Sequence, residues 1–177
     1  MAMKLNNRVI NFFSGLSQRE KSVGVAFVAA VLLGSLVPGH FTVSISDSLN
    51  MRIFFLTGLN QHKIKNGDYL VFKGETSFAK PMINKEKALD RLIKKVGCAP
   101  GEELIRNAQG EFYCQGVFLG KALETDSLKR PLSRFYFSGV VPESNYFMVG
   151  DNPRSFDSKY FGFIHADQML RKALPLL

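Results

Sequence analysis

The chain has 177 residues, 46% hydrophobic and 21% charged, a balance that excludes a disordered polymer and suits one compact domain with a short appendage. Its net charge of +8 comes without any long Lys/Arg run, which argues against nucleic acid as a partner. Three scattered histidines (His40, His62, His165) and two cysteines show neither His-x-x-x-His nor Cys-x-x-Cys spacing, so no metal and no cofactor is expected.

Residues 1–21 carry Lys4, Arg8, Arg19 and Lys21 against one acid, Glu20. From Ser22 to Gly39 there is no charge at all, a run about long enough to span a thin hydrocarbon core. The basic flank keeps the N-terminus in the cytoplasm and sends the rest across the membrane. Residues 22–39 are therefore expected to be a transmembrane anchor, with a cleavable signal peptide as the rival reading. Either way residues 40–177 are expected to be exported. Outside the cytosol, Cys98 and Cys114 are candidates for a disulfide, with two buried thiols as the alternative.

Past residue 40 the pattern is mainly β. The runs 41–48, 51–56, 68–73 and 145–151 are rich in Val, Ile, Phe and Tyr and separated by Gly, Asn and Asp. Residues 102–120 read as a hairpin or meander turning near Asn107–Gly110. Helix is expected at 3–19, in the anchor, at 85–91 and at 166–174. The fold class is a small antiparallel β-sheet domain behind one N-terminal helix.

Three segments hold residues that could do chemistry. If Thr42–Ser48 is extended, Ser44, Ser46 and Ser48 share one face. In an extended run to Gly97, Leu92, Lys94 and Val96 share a face while Ile93 and Lys95 take the other. A lysine among apolar neighbours loses hydration and holds its proton less tightly, so it could deprotonate a serine without a histidine. Residues 148–164 place Asp151, Asn152, Arg154, Ser155, Asp157, Ser158 and Lys159 close together after an apolar run, a density that requires mutual hydrogen bonding.

The order of these segments resembles the type I signal peptidases. Ser46-Asp47-Ser48-Leu49 looks like their Ser-x-Ser-Met box, and Lys94-Lys95-Val96-Gly97-Cys98-Ala99-Pro100-Gly101-Glu102 is similar to their Lys-Arg-x-x-Gly-x-Pro-Gly-Asp box. Gly67-Asp68-Tyr69-Leu70-Val71 resembles the family's Gly-Asp-hydrophobic strand. Gly150-Asp151-Asn152 with Ser155-Phe156-Asp157-Ser158-Lys159-Tyr160-Phe161-Gly162 resembles its third box, one residue shorter and with Lys159 for arginine. Asn50 and Met51 stand where the family has a proline. In size and in its relaxed first box the chain is similar to conjugation-type (TraF) peptidases.

The resemblance implies a serine endopeptidase of the bacterial inner membrane, its domain on the periplasmic side. It would remove leaders from membrane-inserted precursors, a pilin of a conjugation system among them. Ser48 would be the nucleophile and Lys94 the base, with Ser46 and the Ser48 amide forming the oxyanion hole. Ser155 would orient the lysine, Asp157 and Lys159 would form a supporting pair, and Asp151 with Asn152 the turn that holds them. The partners implied are the precursor and the lipid bilayer. A catalytically inactive, membrane-anchored assembly or scaffold protein is the alternative.

Overall fold

The computed structural model describes residues 17–36, 39–74 and 91–176. The chain divides into two units, Met1–His40 and Phe41–Leu177. The first contributes helix α1 (Gln18–Leu36), whose opening turn carries Glu20. Ser17 caps that turn, its amide and hydroxyl both donating to the Glu20 carboxylate. The expected anchor of 22–39 falls on this helix and on residues 37 and 38, which lie outside the described residues. The helix starts on charged residues and ends at Leu36, and among the described residues no helix is long and apolar enough to cross a membrane. Of the helices expected at 3–19 and 85–91, residues 3–16 and 85–90 lie outside the described residues, Gln18 and Arg19 open α1, and Arg91 is in a strand.

The second unit is built from two antiparallel sheets. Strands β1 (Phe41–Val43), β2 (Ile53–Thr57), β3 (Tyr69–Lys73), β4 (Arg91–Cys98), β9 (Asn145–Val149), β10 (Ile164–His165) and β11 (Met169–Pro175) form the larger. Its order is β1-β2-β11-β3-β4-β9-β10. Strands β5 (Glu103–Arg106), β6 (Glu111–Cys114), β7 (Val117–Lys121) and β8 (Gly139–Val140) form the smaller, in the order β7-β6-β5-β8. Residues 103–121 are therefore a meander. Its second turn, Gln115–Gly116, has φ of 48° and 80°, the left-handed pair that matches strand twist in a two-residue hairpin.

Two expectations fail for physical reasons. The helix forecast at 166–174 is only a short 3₁₀ turn, Ala166–Gln168, followed by β11. Met169 and Ala173 are buried there, and β11 is hydrogen-bonded between β2 and β3. A short apolar run carries no period strong enough to separate the two forms, and tertiary pairing decides. The extended run forecast to Ser48 stops at Val43, and residues 46–50 bend and turn instead.

The core forms in layers. Leu70, Phe72, Val96, Met148 and Ile164 pack on one side of the large sheet; Leu49, Phe54, Val71 and Ala173 form another cluster. Between the sheets lie Cys98, Leu104, Phe112, Cys114, Phe147 and Val149. A bulge between Val96 and Cys98 changes the register of β4 against β9. It breaks the alternation, so Val96 and Cys98 enter different clusters. There Cys98 is disulfide-bonded to Cys114, with Cα atoms 5.5 Å apart. Phe147 lies fully buried, with the rings of Phe112, Phe163 and Phe135 at 4.9, 6.2 and 6.3 Å. Phe147→Ala should cost about 3–5 kcal/mol in denaturant unfolding, because the layer has rigid sheets on both sides and cannot collapse into the void.

Candidate active site

Strand β4 brings Lys94 into the interior. Across the ladder it faces Leu70 on β3, and two residues on along β4 Val96 lies opposite Met148 of β9. Lys94 is 3% exposed, and its Nζ donates to Ser155 Oγ at 2.8 Å. Loss of hydration draws its pKa down to about 8. Asp157 and Asp151 oppose that shift, and Lys159 adds to it. At pH 7 about a tenth of such lysines are neutral, against fewer than ~1 in 1,000 for an ordinary one.

Ser155 is placed by the loop that follows β9. Asn152 closes the loop on itself, its side-chain oxygen accepting from the Arg154 amide at 2.8 Å and its carbonyl from the Ser155 amide at 2.9 Å. Asp157 caps the four-residue helix α2 (Ser158–Phe161). One carboxylate oxygen accepts from the Lys159 amide at 3.1 Å; the other accepts from Lys159 Nζ at 2.6 Å and from the Gly150 amide at 2.9 Å. Both side chains are buried, at 0% and 1% exposure. The Ser158 hydroxyl accepts from the Met148 amide at 2.8 Å. With one Asp157 oxygen already engaged by its own helix, a single ammonium suffices for the other, and the fork of an arginine is not required.

Ser48 reaches the same place from the other direction. Its carbonyl accepts from the Asp151 amide at 2.8 Å and the Asn152 amide at 3.2 Å. The Asn50 amide donates to Asp151 at 3.1 Å, and buried Leu49 plugs the turn into the core. Short polar residues at 46–48 and 50 favour such local bonding over a ladder. Ser46 is exposed, and its carbonyl accepts from Ser44 Oγ at 3.4 Å. Ser48 Oγ and Lys94 Nζ are not hydrogen-bonded to each other in this structure.

Two participants escaped the sequence reading. Lys95, on the opposite side of β4, pairs with Asp151. Burial works against the Asp151 charge, but Lys95, the Asn50 amide and Tyr69 hold its pKa below the usual carboxylate value. Lys95 therefore fastens the turn that carries Ser48, and the adjacent-lysine motif was the available signal. Gly150 is the other. A Cβ there would stand 2.6 Å from Ser48 O and closer still to Ser155 Oγ, so both serine segments meet where this residue has no side chain.

The fold and this site define a β-sheet protein with a buried, hydroxyl-seated lysine beside a serine-bearing turn. The family model described as signal peptidase, peptidase S26, matches residues 17–176. The chain belongs to the signal peptidase S26 family. It is 34% identical over 85 residues to a Synechocystis protein described as probable signal peptidase I-2, a match covering 48% of this chain and 37% of that one. It thus spans well under half the length of that curated relative. A crystal structure of a signal peptidase I from Enterococcus faecalis V583 is 28% identical, covering 62% of this chain and 96% of the other, with a TM-score of 0.38.

Two outcomes follow from this geometry. Gly150→Ala should lower the thermal midpoint by several degrees and separate the serine segments, because a backbone carbonyl cannot yield as a flexible side chain can. Lys94→Met should instead raise the midpoint near neutral pH. The native lysine's folded pKa is depressed, so the unfolded chain binds more protons between about pH 8 and its ordinary value, and the lysine's destabilising effect grows as pH falls through that window. The gain from Lys94→Met should shrink when the midpoint is measured at alkaline pH.

Proposed function

We propose that this protein is a serine endopeptidase that removes leader peptides from exported precursors, with Ser48 as nucleophile and Lys94 as general base. The carrying observation is the lysine itself, buried, bonded to Ser155 and drawn down to about pKa 8. Such a group is costly to bury and has a use only where a neutral amine is needed near neutral pH.

In the proposed reaction Ser48 Oγ attacks the scissile carbonyl as Lys94 accepts its proton. Lys94 then delivers that proton to the leaving amine, and water releases the acyl group. The Ser48 amide and the Ser46 hydroxyl would stabilise the oxyanion, each donor worth roughly 3 kcal/mol. Asp151 and Asn152 hold Ser48 through its carbonyl, and Asp157 with Lys159 holds the loop bearing Ser155.

Membrane attachment through residues 22–39 belongs to the same proposal. It rests on the uncharged run and its basic flank, since no described helix is by itself long and apolar enough to cross. A precursor inserted in the same bilayer would present its scissile bond at a similar height, so tethering would supply part of the encounter. The relaxed first box, Ser46-Asp47-Ser48-Leu49, favours a conjugation pilin as the precursor. An inactive scaffold fits less well, because a decayed site has no reason to retain a buried lysine.

Ser48→Ala and Lys94→Ala should each reduce precursor cleavage by more than about 10³-fold while the protein still folds, measured by mass spectrometry of a candidate precursor. Lys95→Ala should lower the rate more mildly, through loss of the Asp151 tie. The rate should rise with pH to a plateau past about 8, the value of Lys94; a flat profile from neutral pH upward would contradict a lysine base.

A further inference from the structure

The disulfide joins the lysine's own strand to the smaller sheet. Cys98 lies four residues beyond Lys94 on β4, and Cys114 ends β6. Next to β6 runs β7, which reaches back over the site at two points. Leu119 Cδ1 stands 3.2 Å from where a Cβ on Gly97 would be. Gly120, at φ +131°, lies so near Lys159 that an added Cβ would be 3.4 Å from Nζ and 3.5 Å from both Cδ and Cε. Lys159 pairs with Asp157, Asp157 accepts from the Gly150 amide, and the same loop presents Ser155 to Lys94. A continuous set of contacts thus runs from the disulfide through β7 to the seat of the lysine.

We propose that the smaller sheet is a positioning element for Lys94, roofing the Lys159–Asp157 pair with β7 and latched to β4 by Cys98–Cys114, so that reduction of the disulfide weakens the base. The inference rests on the reading of Lys94 as the base. The charged groups acting on Lys94 are Asp157 and Lys159 from the α2 segment and Asp151 from the turn after β9. β7 approaches through Gly120 and Leu119, and its own charge, Lys121, lies opposite Glu111 of β6 and acts there rather than on Lys94. The roof therefore excludes water without adding charge, and its loosening would let Lys94 keep its proton to higher pH.

The bridge has a neighbour suited to its reduced form. A Glu102 carboxylate oxygen lies 3.2 Å from Cys114 Sγ and also accepts from the Ala99 amide at 2.8 Å and Asn66 Nδ2 at 2.7 Å. A dithiol reductant would break the S–S bond, passing two electrons and two protons to the cysteines and leaving as its own cyclic disulfide. The Cys114 thiol would then have Glu102 as its acceptor.

The test compares oxidised and dithiothreitol-reduced protein in peptide cleavage from about pH 6 to about pH 10, with thiols counted by mass after alkylation in denaturant. Reduction should move the acid limb of kcat alkaline by about half a pH unit or more, with KM little changed and reoxidation restoring the original limb. Cys98→Ser/Cys114→Ser should show the shifted limb with or without dithiothreitol. An unshifted limb in protein whose two thiols are both counted as free would overturn the proposal. Should reduction unfold the domain, Leu119→Ala with the bridge intact decides instead: a shifted limb supports the roof and an unmoved one overturns it. If Lys94→Ala cleaves normally, the base assignment fails, whatever the disulfide does.

Discussion

An amine with the capacity to donate three hydrogen bonds sits in the interior of this protein with one hydrogen-bonding partner among the described residues, the Ser155 hydroxyl. Water would solvate that amine far better, and its removal is what brings the pKa to about 8. Most of the polar construction nearby follows from tolerating that burial. Two lysines flank Lys94 in space or sequence, and each is neutralised by its own aspartate: Lys159 by Asp157, Lys95 by Asp151. Lys94 has no such partner in contact among the described residues, and Asp157 and Asp151 only partly offset its loss of hydration, so its neutral form is favoured.

The two aspartates also solve a mechanical problem. Asp157 fastens the loop carrying Ser155 to the end of β9 through the Gly150 amide, and Asp151 fastens the turn carrying Ser48 through the Asn50 amide. Both segments then converge on Gly150, where the absence of a side chain leaves room for them. A chain with no proline behind its serine still holds that turn, through backbone bonds to Ser48 O and the buried Leu49 side chain. Charge balance and positioning are here supplied by the same carboxylates.

Much of this was legible in the sequence. The alternation around Lys94 placed it among apolar residues, and β4 does extend through Cys98. The polar density of 151–159 implied internal hydrogen bonding, which Asn152 and Asp157 supply. Other features were hidden because they depend on contacts remote in sequence. Nothing local at Ser48 reveals that its carbonyl meets amides about a hundred residues away, so the turn there was misread as strand. The final strand looked helical because Met169 and Ala173 take their places only when β2 and β3 are present on either side. The bulge at Gly97, which directs Cys98 toward Cys114, likewise has no period to betray it.

The central claim is that Lys94 is held in the state a base requires. Selective ¹³C labelling of lysine Cε, with Lys94→Met to assign the resonance, would let its titration be followed by NMR in the Ser48→Ala protein. A midpoint near pH 8, well below those of the exposed lysines, is the predicted result. A Lys94 that titrates together with the surface lysines would contradict the account.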